Sequence, residues 1–199
     1  MKFFIVGKQG SGKHEVLNLL EELDVRVGRE FSNLEEYKEN IYMDKNYEKY
    51  SSDDISNIFE QNSYIYIGGI DECNVLDGYS YYRGLSHYTY DNNDVMALSP
   101  KALDSVNKKL VNDHIVFVWL DNTRDNRIRR YVEDQRKYSF VEIEKIESQY
   151  DQDFVKNIYG FKNSSVLYFS NEDPCRIATI VAAIIKYPDL KDMFVDNYN

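Results

Sequence analysis

The sequence predicts an α/β fold of three layers, a parallel central sheet with helices on both faces. Three observations predict it. Phe3-Phe4-Ile5-Val6 is an unbroken apolar run ended by Gly7, the pattern of a strand buried on both sides in a parallel sheet. Ile115 to Leu120 and Val166 to Phe169 repeat that pattern. Each run is followed by a helical stretch, and strands alternating with helices imply right-handed parallel crossovers.

The first strand is read as residues 2 to 6. After a glycine-rich turn, Val16, Leu19, Leu20 and Leu23 recur at helical spacing while Glu15, Asn18, Glu21 and Glu22 fall elsewhere, so the turn opens a helix. Residues 26 to 54 are polar and rich in tyrosine without a clear period, and read as a mobile, substrate-facing segment. Ile55 to Phe59 suggests a helical turn, and Tyr64-Ile65-Tyr66-Ile67 before Gly68-Gly69 a strand. Between Tyr79 and Tyr90 tyrosines alternate with small and polar residues, as in short strands or a loop.

Val95 to Leu98 reads as a short strand. Pro100 suits a first helical turn, and a helix continues from Ala102 to Leu110. The run from Ile115 to Leu120 gives the strongest strand signal and ends at Asp121, where Asp121, Asn122 and Thr123 are N-cap candidates for a charged helix through Val132. Helices are expected at Val141 to Tyr159 and Arg176 to Lys186, a last strand at Val166 to Phe169, and a frayed tail from Pro188.

A chain of 199 residues suffices for one α/β domain with a full core. Hydrophobic residues at 43% and aromatics at 15%, with 18 tyrosines, exclude a disordered chain. The net charge of -10 and a pI near 4.8 disfavour long nucleic acids, which need a basic face to displace counterions. Cys73 and Cys175 lie far apart without a CxxC spacing, which fits a reducing compartment and inert core thiols. The start of the chain lacks a signal-like pattern, and the apolar run Ile177 to Ile185 is too short to span a bilayer. A soluble cytoplasmic protein without a membrane partner is expected.

Gly7-Lys8-Gln9-Gly10-Ser11-Gly12-Lys13 matches G-x-x-x-x-G-K between a strand and a helix, the context of a phosphate-binding P-loop. Glycines let backbone N–H groups turn toward phosphate oxygens, the helix start adds its dipole, and Lys13 bridges the terminal phosphates as a point charge. An ordinary glycine turn before a helix is the plainer alternative. The next position, where Ser or Thr would give magnesium a hydroxyl, is His14. His14 either acts at the phosphates or packs on the loop. Asp71 and Asp121 each end a hydrophobic run. Either would organise magnesium through water, and either would equally arise as a structural N-cap.

Arg124, Arg127, Arg129, Arg130 and Arg136 form a basic island in an acidic protein. Arginines that close over a phosphoryl group spread and neutralise its charge. A solvated helix face paired with Asp125, Glu133 and Asp134 is the alternative, and the P-loop favours the first. Asn107-Lys108-Lys109-Leu110 lacks the aspartate of a guanine-specifying N-K-x-D.

With the P-loop in place, the chain resembles the guanylate kinase-like branch of nucleoside monophosphate kinases over most of its length, patchily in the middle. Gly78-Tyr79-Ser80-Tyr81-Tyr82-Arg83-Gly84 is similar to the family segment whose tyrosine binds the acceptor phosphate, which implies that role for Tyr82 or Tyr81. Val95 to Val106 resembles the strand and helix that follow. Val116 to Arg130 resembles the strand entering the family's lid, with Arg127 and Arg130 as lid arginines, and Phe140 to Phe154 its exit helix. Asn171-Glu172-Asp173 resembles the turn beside the ATP base, which implies that Asn171 lies near adenine.

The departures are also specific. The acceptor-phosphate motif Thr-Thr-Arg-x-x-Arg is not recognisable, and Arg26, Arg29 and Ser32 are what remains for that work. Arg83 stands where the family prefers a small residue. Lys145 or Arg136 would serve as the second lid cation, and Asp71 or Glu72 with Ser99 represents the acidic pair that reads guanine, which puts guanine specificity in doubt.

The resemblance implies a P-loop kinase fold in one domain, with an acceptor-binding insert at about 26–94, a lid at about 122–150 and a tail at 188–199. It implies a nucleoside monophosphate kinase using ATP and Mg2+, with Lys13, Arg127, Arg130 and Arg136 catalytic. Gly7, Gly10, Ser11, Gly12, Lys13, His14 and Asn171 would hold ATP, and Arg29, Asp71, Glu72, Tyr81, Tyr82, Arg83 and Ser99 the acceptor. Monomer and homodimer stay open, as do the acceptor base and sugar; a viral nucleotide pathway would place the protein in the host cytoplasm. Two alternatives are a catalytically inactive binding module of the same fold, and a kinase acting on a modified nucleotide in DNA.

Overall fold

The computed structural model describes residues 1–33, 47–69, 82–98, 102–110, 113–133, 148, 156–161 and 163–195. By contact these fall into two compact units, 1–27 with 93–199, and 28–92.

In the larger unit a five-stranded sheet has the order β2-β7-β1-β8-β9. Its strands are β1 (Lys2–Val6), β2 (Val27–Gly28), β7 (Val95–Leu98), β8 (Ile115–Asp121) and β9 (Ser164–Ser170). β1 is parallel to β7 on one side, with Phe3 opposite Val95, and to β8 on the other, with Phe3 opposite Val116; β8 is parallel to β9. Phe3 to Val6 are all buried, on both faces of this central strand, which explains why the run contains no polar residue.

Side chains alternate across this sheet. Phe3, Ile5, Val116, Val118, Leu120 and Leu167 face a core completed by α1 (Lys13–Glu22) and α6 (Pro174–Lys186), through Val16, Leu17, Leu20, Ile177, Val181 and Ile184. Each such side chain contributes roughly 2 kcal/mol when fully buried. The opposite face carries Phe4 and Phe117, stacked at 6.2 Å, with Phe161 edge-on to Phe117 at 5.0 Å. α4 (Leu103–Lys109) and α5 (Arg124–Glu133) follow β7 and β8. α6 starts as its sequence suggests: Asp173 accepts from the Cys175 N–H at 3.1 Å, and Pro174 occupies the first turn.

The smaller unit holds a four-stranded sheet of order β4-β3-β6-β5, made of β3 (Phe31–Ser32), β4 (Glu48–Lys49), β5 (Tyr64–Gly69) and β6 (Tyr82–Ser86). β6 runs antiparallel to both β3 and β5. Helix α2 (Ser52–Glu60) opens on a capping box in which the Ser51 hydroxyl accepts from the Asp54 N–H and the Asp54 carboxylate accepts from the Ser51 N–H. Ser86 caps α3 (His87–Asn92), accepting from the Thr89 N–H at 3.0 Å.

The strand expected at Tyr64 is present as β5 and pairs antiparallel, with Ile67 and Gly68 opposite Gly84 and Arg83. Three expectations change. Residues 87–92 are helical, held by the Ser86 cap. Pro188–Met193 forms a 3-10 helix, and Leu190 and Val195 pack on the core, so this segment is not a frayed tail. Cys175 is exposed rather than a core thiol, since it lies in the first, solvent-facing turn of α6. Cys73, most of the expected helix at 141–159, and Pro100 lie outside the described residues.

Candidate functional site

The chain leaves β1 at Gly7 and reaches α1 through Lys8 to Gly12. Gly10 and Gly12 have φ of 76° and 92°, a left-handed conformation that a side chain penalises. Gly10 is also hemmed in: a Cβ there would lie 2.6 Å from the Arg127 carbonyl oxygen. Gly12 occupies the N-cap of α1 and provides no side-chain cap. A first turn without a side-chain acceptor suits an anion, since the orphan amides and the helix dipole both point to it.

Lys13 is buried at 8% exposure, and its Nζ donates to the carbonyls of Gly7 at 2.7 Å and Lys8 at 3.0 Å. The ammonium therefore spans the loop from the first turn of α1 back to its entry, where a positive charge would meet terminal phosphates. The Ser11 hydroxyl is buried in the loop and makes no hydrogen bond; such a group costs stability unless a ligand satisfies it. His14 follows in the first turn of α1, half-buried. The loop glycines, Lys13 and Ser11 thus fit a polyphosphate. The position after Lys13 offers magnesium no hydroxyl.

Helix α5 closes the loop from outside. Arg127 and Arg130, three residues apart, share one helical face. Arg127 is 5% exposed and its Nη1 donates to the Gln9 carbonyl at 3.4 Å. Arg130 Nη1 donates to the Ser11 carbonyl at 2.9 Å, and its Nε lies 3.5 Å from the Glu15 carboxylate. Asn122 Nδ2 donates to the same Ser11 carbonyl at 2.6 Å. The outward face behaves as an ordinary solvated surface: Arg124 is exposed, and Arg129 lies 4.0 Å from Glu133.

Asn171, which the resemblance implies lies near adenine, follows β9, and its side chain reaches α5: Oδ1 accepts from the Thr123 N–H at 2.8 Å and from Asn126 Nδ2 at 3.1 Å. Asp121 ends β8, directly beside β1, where its carboxylate accepts from the Tyr168 hydroxyl. Among the described residues no cluster of three or more His, Cys, Asp or Glu could hold a metal ion.

Two arginines reserved for an acceptor phosphate have other neighbours. Arg26 makes a bidentate ion pair with Asp94, at 2.7 and 2.9 Å. In the smaller unit Arg29 lies beside Glu48 and draws its carboxyl down, while burial, the larger effect, pushes it up. The Tyr50 hydroxyl is raised by burial and then by the charges of Glu48 and Asp54. Also in that unit, the Tyr82 N–H donates to Asn33 Oδ1 at 2.7 Å, and Arg83 sits opposite Ser32 in the sheet. Asp71, Glu72, Tyr81, Ser99 and Arg136 lie outside the described residues.

Sequence reasoning missed Asn122 as a loop contact and Asn171 as a support for α5. Neither leaves a local signal, because the partners lie 111 and 48 positions away.

No helix among the described residues is long and apolar enough to cross a membrane. No family model matches the sequence, and no curated protein matches it. Among solved structures the chain is similar to a shikimate kinase from Acinetobacter baumannii in complex with shikimate, at 15% identity and TM-score 0.46, over 95% of this chain and 94% of that one. It is also similar to a sugar kinase from Janibacter, at 10% identity and TM-score 0.42 over 96% and 98%, and to an uncharacterised protein from Eubacterium ventriosum, at 11% and 0.41 over 95% and 99%.

Proposed function

We propose that this chain is a P-loop phosphotransferase that moves the γ-phosphate of ATP to a nucleoside or deoxynucleoside monophosphate. The observation that carries the reading is the loop itself: two left-handed glycines, an uncapped helix start, and a Lys13 ammonium spanning the loop. The acceptor class rests on the resemblance of Gly78 to Gly84 to a nucleoside monophosphate kinase segment.

Phosphoryl transfer asks the protein for position and charge rather than covalent chemistry. Lys13 would neutralise the terminal phosphates. Arg127 and Arg130 tie up the Gln9 and Ser11 carbonyls, which takes partial negative charge away from the cradle. Magnesium, when bound with ATP, supplies further charge neutralisation, and Asp121 at the end of β8 would hold it through water.

The test is a coupled assay with ATP and magnesium against a panel of nucleoside and deoxynucleoside monophosphates. We expect turnover on one acceptor, reduced by at least about 100-fold in Lys13→Ala, the scale of losing a preorganised charge at the transition state. His14 in place of a hydroxyl favours a second reading, a binding module without turnover. That reading takes over if ATP binds by calorimetry and no acceptor is phosphorylated.

A further inference from the structure

We infer that Asn171 is a positioning residue that shapes the P-loop through helix α5 without touching the nucleotide; the inference rests on the phosphate-binding reading of that loop. The connection is continuous. The Asn171 N–H donates to the Asp121 carbonyl at 3.1 Å, which anchors the turn after β9 to the end of β8. Its Oδ1 then takes the Thr123 N–H and Asn126 Nδ2, so one carbonyl fixes both the entry and the first turn of α5. The Thr123 carbonyl in turn accepts from the Arg127 N–H at 3.0 Å. That helix aims Arg127 at Gln9 and Arg130 at Ser11, while Asn122 at its entry donates to the same Ser11 carbonyl.

Asn171 has φ of 53°, a conformation that asparagine tolerates better than most residues and glycine better still. This separates two roles. A residue kept only for the turn would be replaced by glycine at no cost. A residue kept for its Oδ1 would be replaced by aspartate, which retains the acceptor, and not by glycine, which retains only the backbone. A third role, contact with the base, would leave the phosphate site untouched.

The experiment compares wild type, Asn171→Gly and Asn171→Asp by calorimetry with two probes, ATP and inorganic tripolyphosphate, which has no base. We expect Asn171→Gly to weaken both probes by a similar factor, about tenfold, the loss of one or two hydrogen bonds of ordinary net strength, and Asn171→Asp to restore most of it. Hydrogen exchange on the ligand-free proteins should show faster exchange at Thr123 and Arg127 in Asn171→Gly alone. A loss confined to ATP would overturn the inference in favour of a base contact. Unchanged binding of both probes in Asn171→Gly, or unchanged exchange, would overturn it in favour of a turn residue. If wild type binds neither probe, the nucleotide reading fails and the inference about the loop fails with it; exchange would then decide only whether Asn171 supports α5.

Discussion

Gly10→Ala tests whether the loop and α5 fit each other as closely as the structure shows. The added methyl faces two costs. Holding alanine at φ of 76° costs about 1–2 kcal/mol. Its Cβ would also stand 2.6 Å from the Arg127 carbonyl oxygen, 3.1 Å from the carbonyl carbon and 3.2 Å from Cα. All three are backbone atoms of a helix, so no side chain can swing away; relief requires the loop or α5 to withdraw by about half an ångström, and overpacking of this kind costs about 1–3 kcal/mol.

A total on the order of 3 kcal/mol corresponds to a fall in Tm of roughly 6–12 °C for a chain of this size. Withdrawal would also loosen the Arg127 and Arg130 bonds to the loop carbonyls, so ATP affinity should fall by about 10- to 100-fold, the scale of a sub-ångström misplacement in a preorganised site. The assay is thermal unfolding with and without ATP, paired with calorimetry. Wild-type Tm together with wild-type affinity would refute the geometry of the loop. Lower Tm with unchanged affinity would refute the narrower claim that α5 shapes the cradle.

Two further predictions concern the smaller unit. Burial raises the Glu48 carboxyl above its ordinary value, so the folded state takes up a proton more readily than the unfolded one and stability falls as pH rises through the window just above the ordinary glutamate range. Glu48→Gln should therefore raise Tm at pH 7 relative to wild type, with the advantage fading below that window; a lower Tm at pH 7 would show that the attraction to Arg29 outweighs burial. The capping box of α2 lowers the Asp54 carboxyl through its hydrogen bonds with Ser51. Its contribution is present above the ordinary aspartate range and lost as pH falls through the depressed value. Ser51→Ala should cost about 1 kcal/mol near neutrality, and a wild-type unfolding curve in that variant would contradict the cap.

Much of the larger unit was legible because its strands announce themselves. Phe3 to Val6, Ile115 to Leu120 and Val166 to Phe169 are apolar runs whose burial on two faces leaves no room for polar residues, and α1 shows its buried stripe directly. The smaller unit lacked that signal. β3 and β4 have two residues each, too few to display a period, and α3 reads His-Tyr-Thr-Tyr-Asp-Asn, a polar and aromatic string whose helical state depends on the Ser86 cap and on burial of Thr89 and Tyr90. The tail hides its packing in Leu190 and Val195, isolated among polar residues. At the candidate site, Lys13 and the glycines could be read from spacing alone, because the loop is continuous in sequence. That Arg127 and Arg130 hold loop carbonyls, and that Asn171 supports their helix, depends on a sheet that brings β1, β8 and β9 side by side.

The tether between α5 and the loop also constrains the order in which the protein can be made. Lys2 to Lys13 leave the ribosome before the groups they contact: β1 pairs with strands that begin at Val95 and Ile115, and the loop carbonyls wait for donors at Asn122, Arg127 and Arg130. Contacts this distant in sequence close late, after the entropy of a long loop has been overcome. A nascent chain stalled before Asn122 carries the complete glycine motif and none of these donors. The proposed triphosphate binding should therefore arise abruptly, at a chain length set by the emergence of α5 and not by that of the motif.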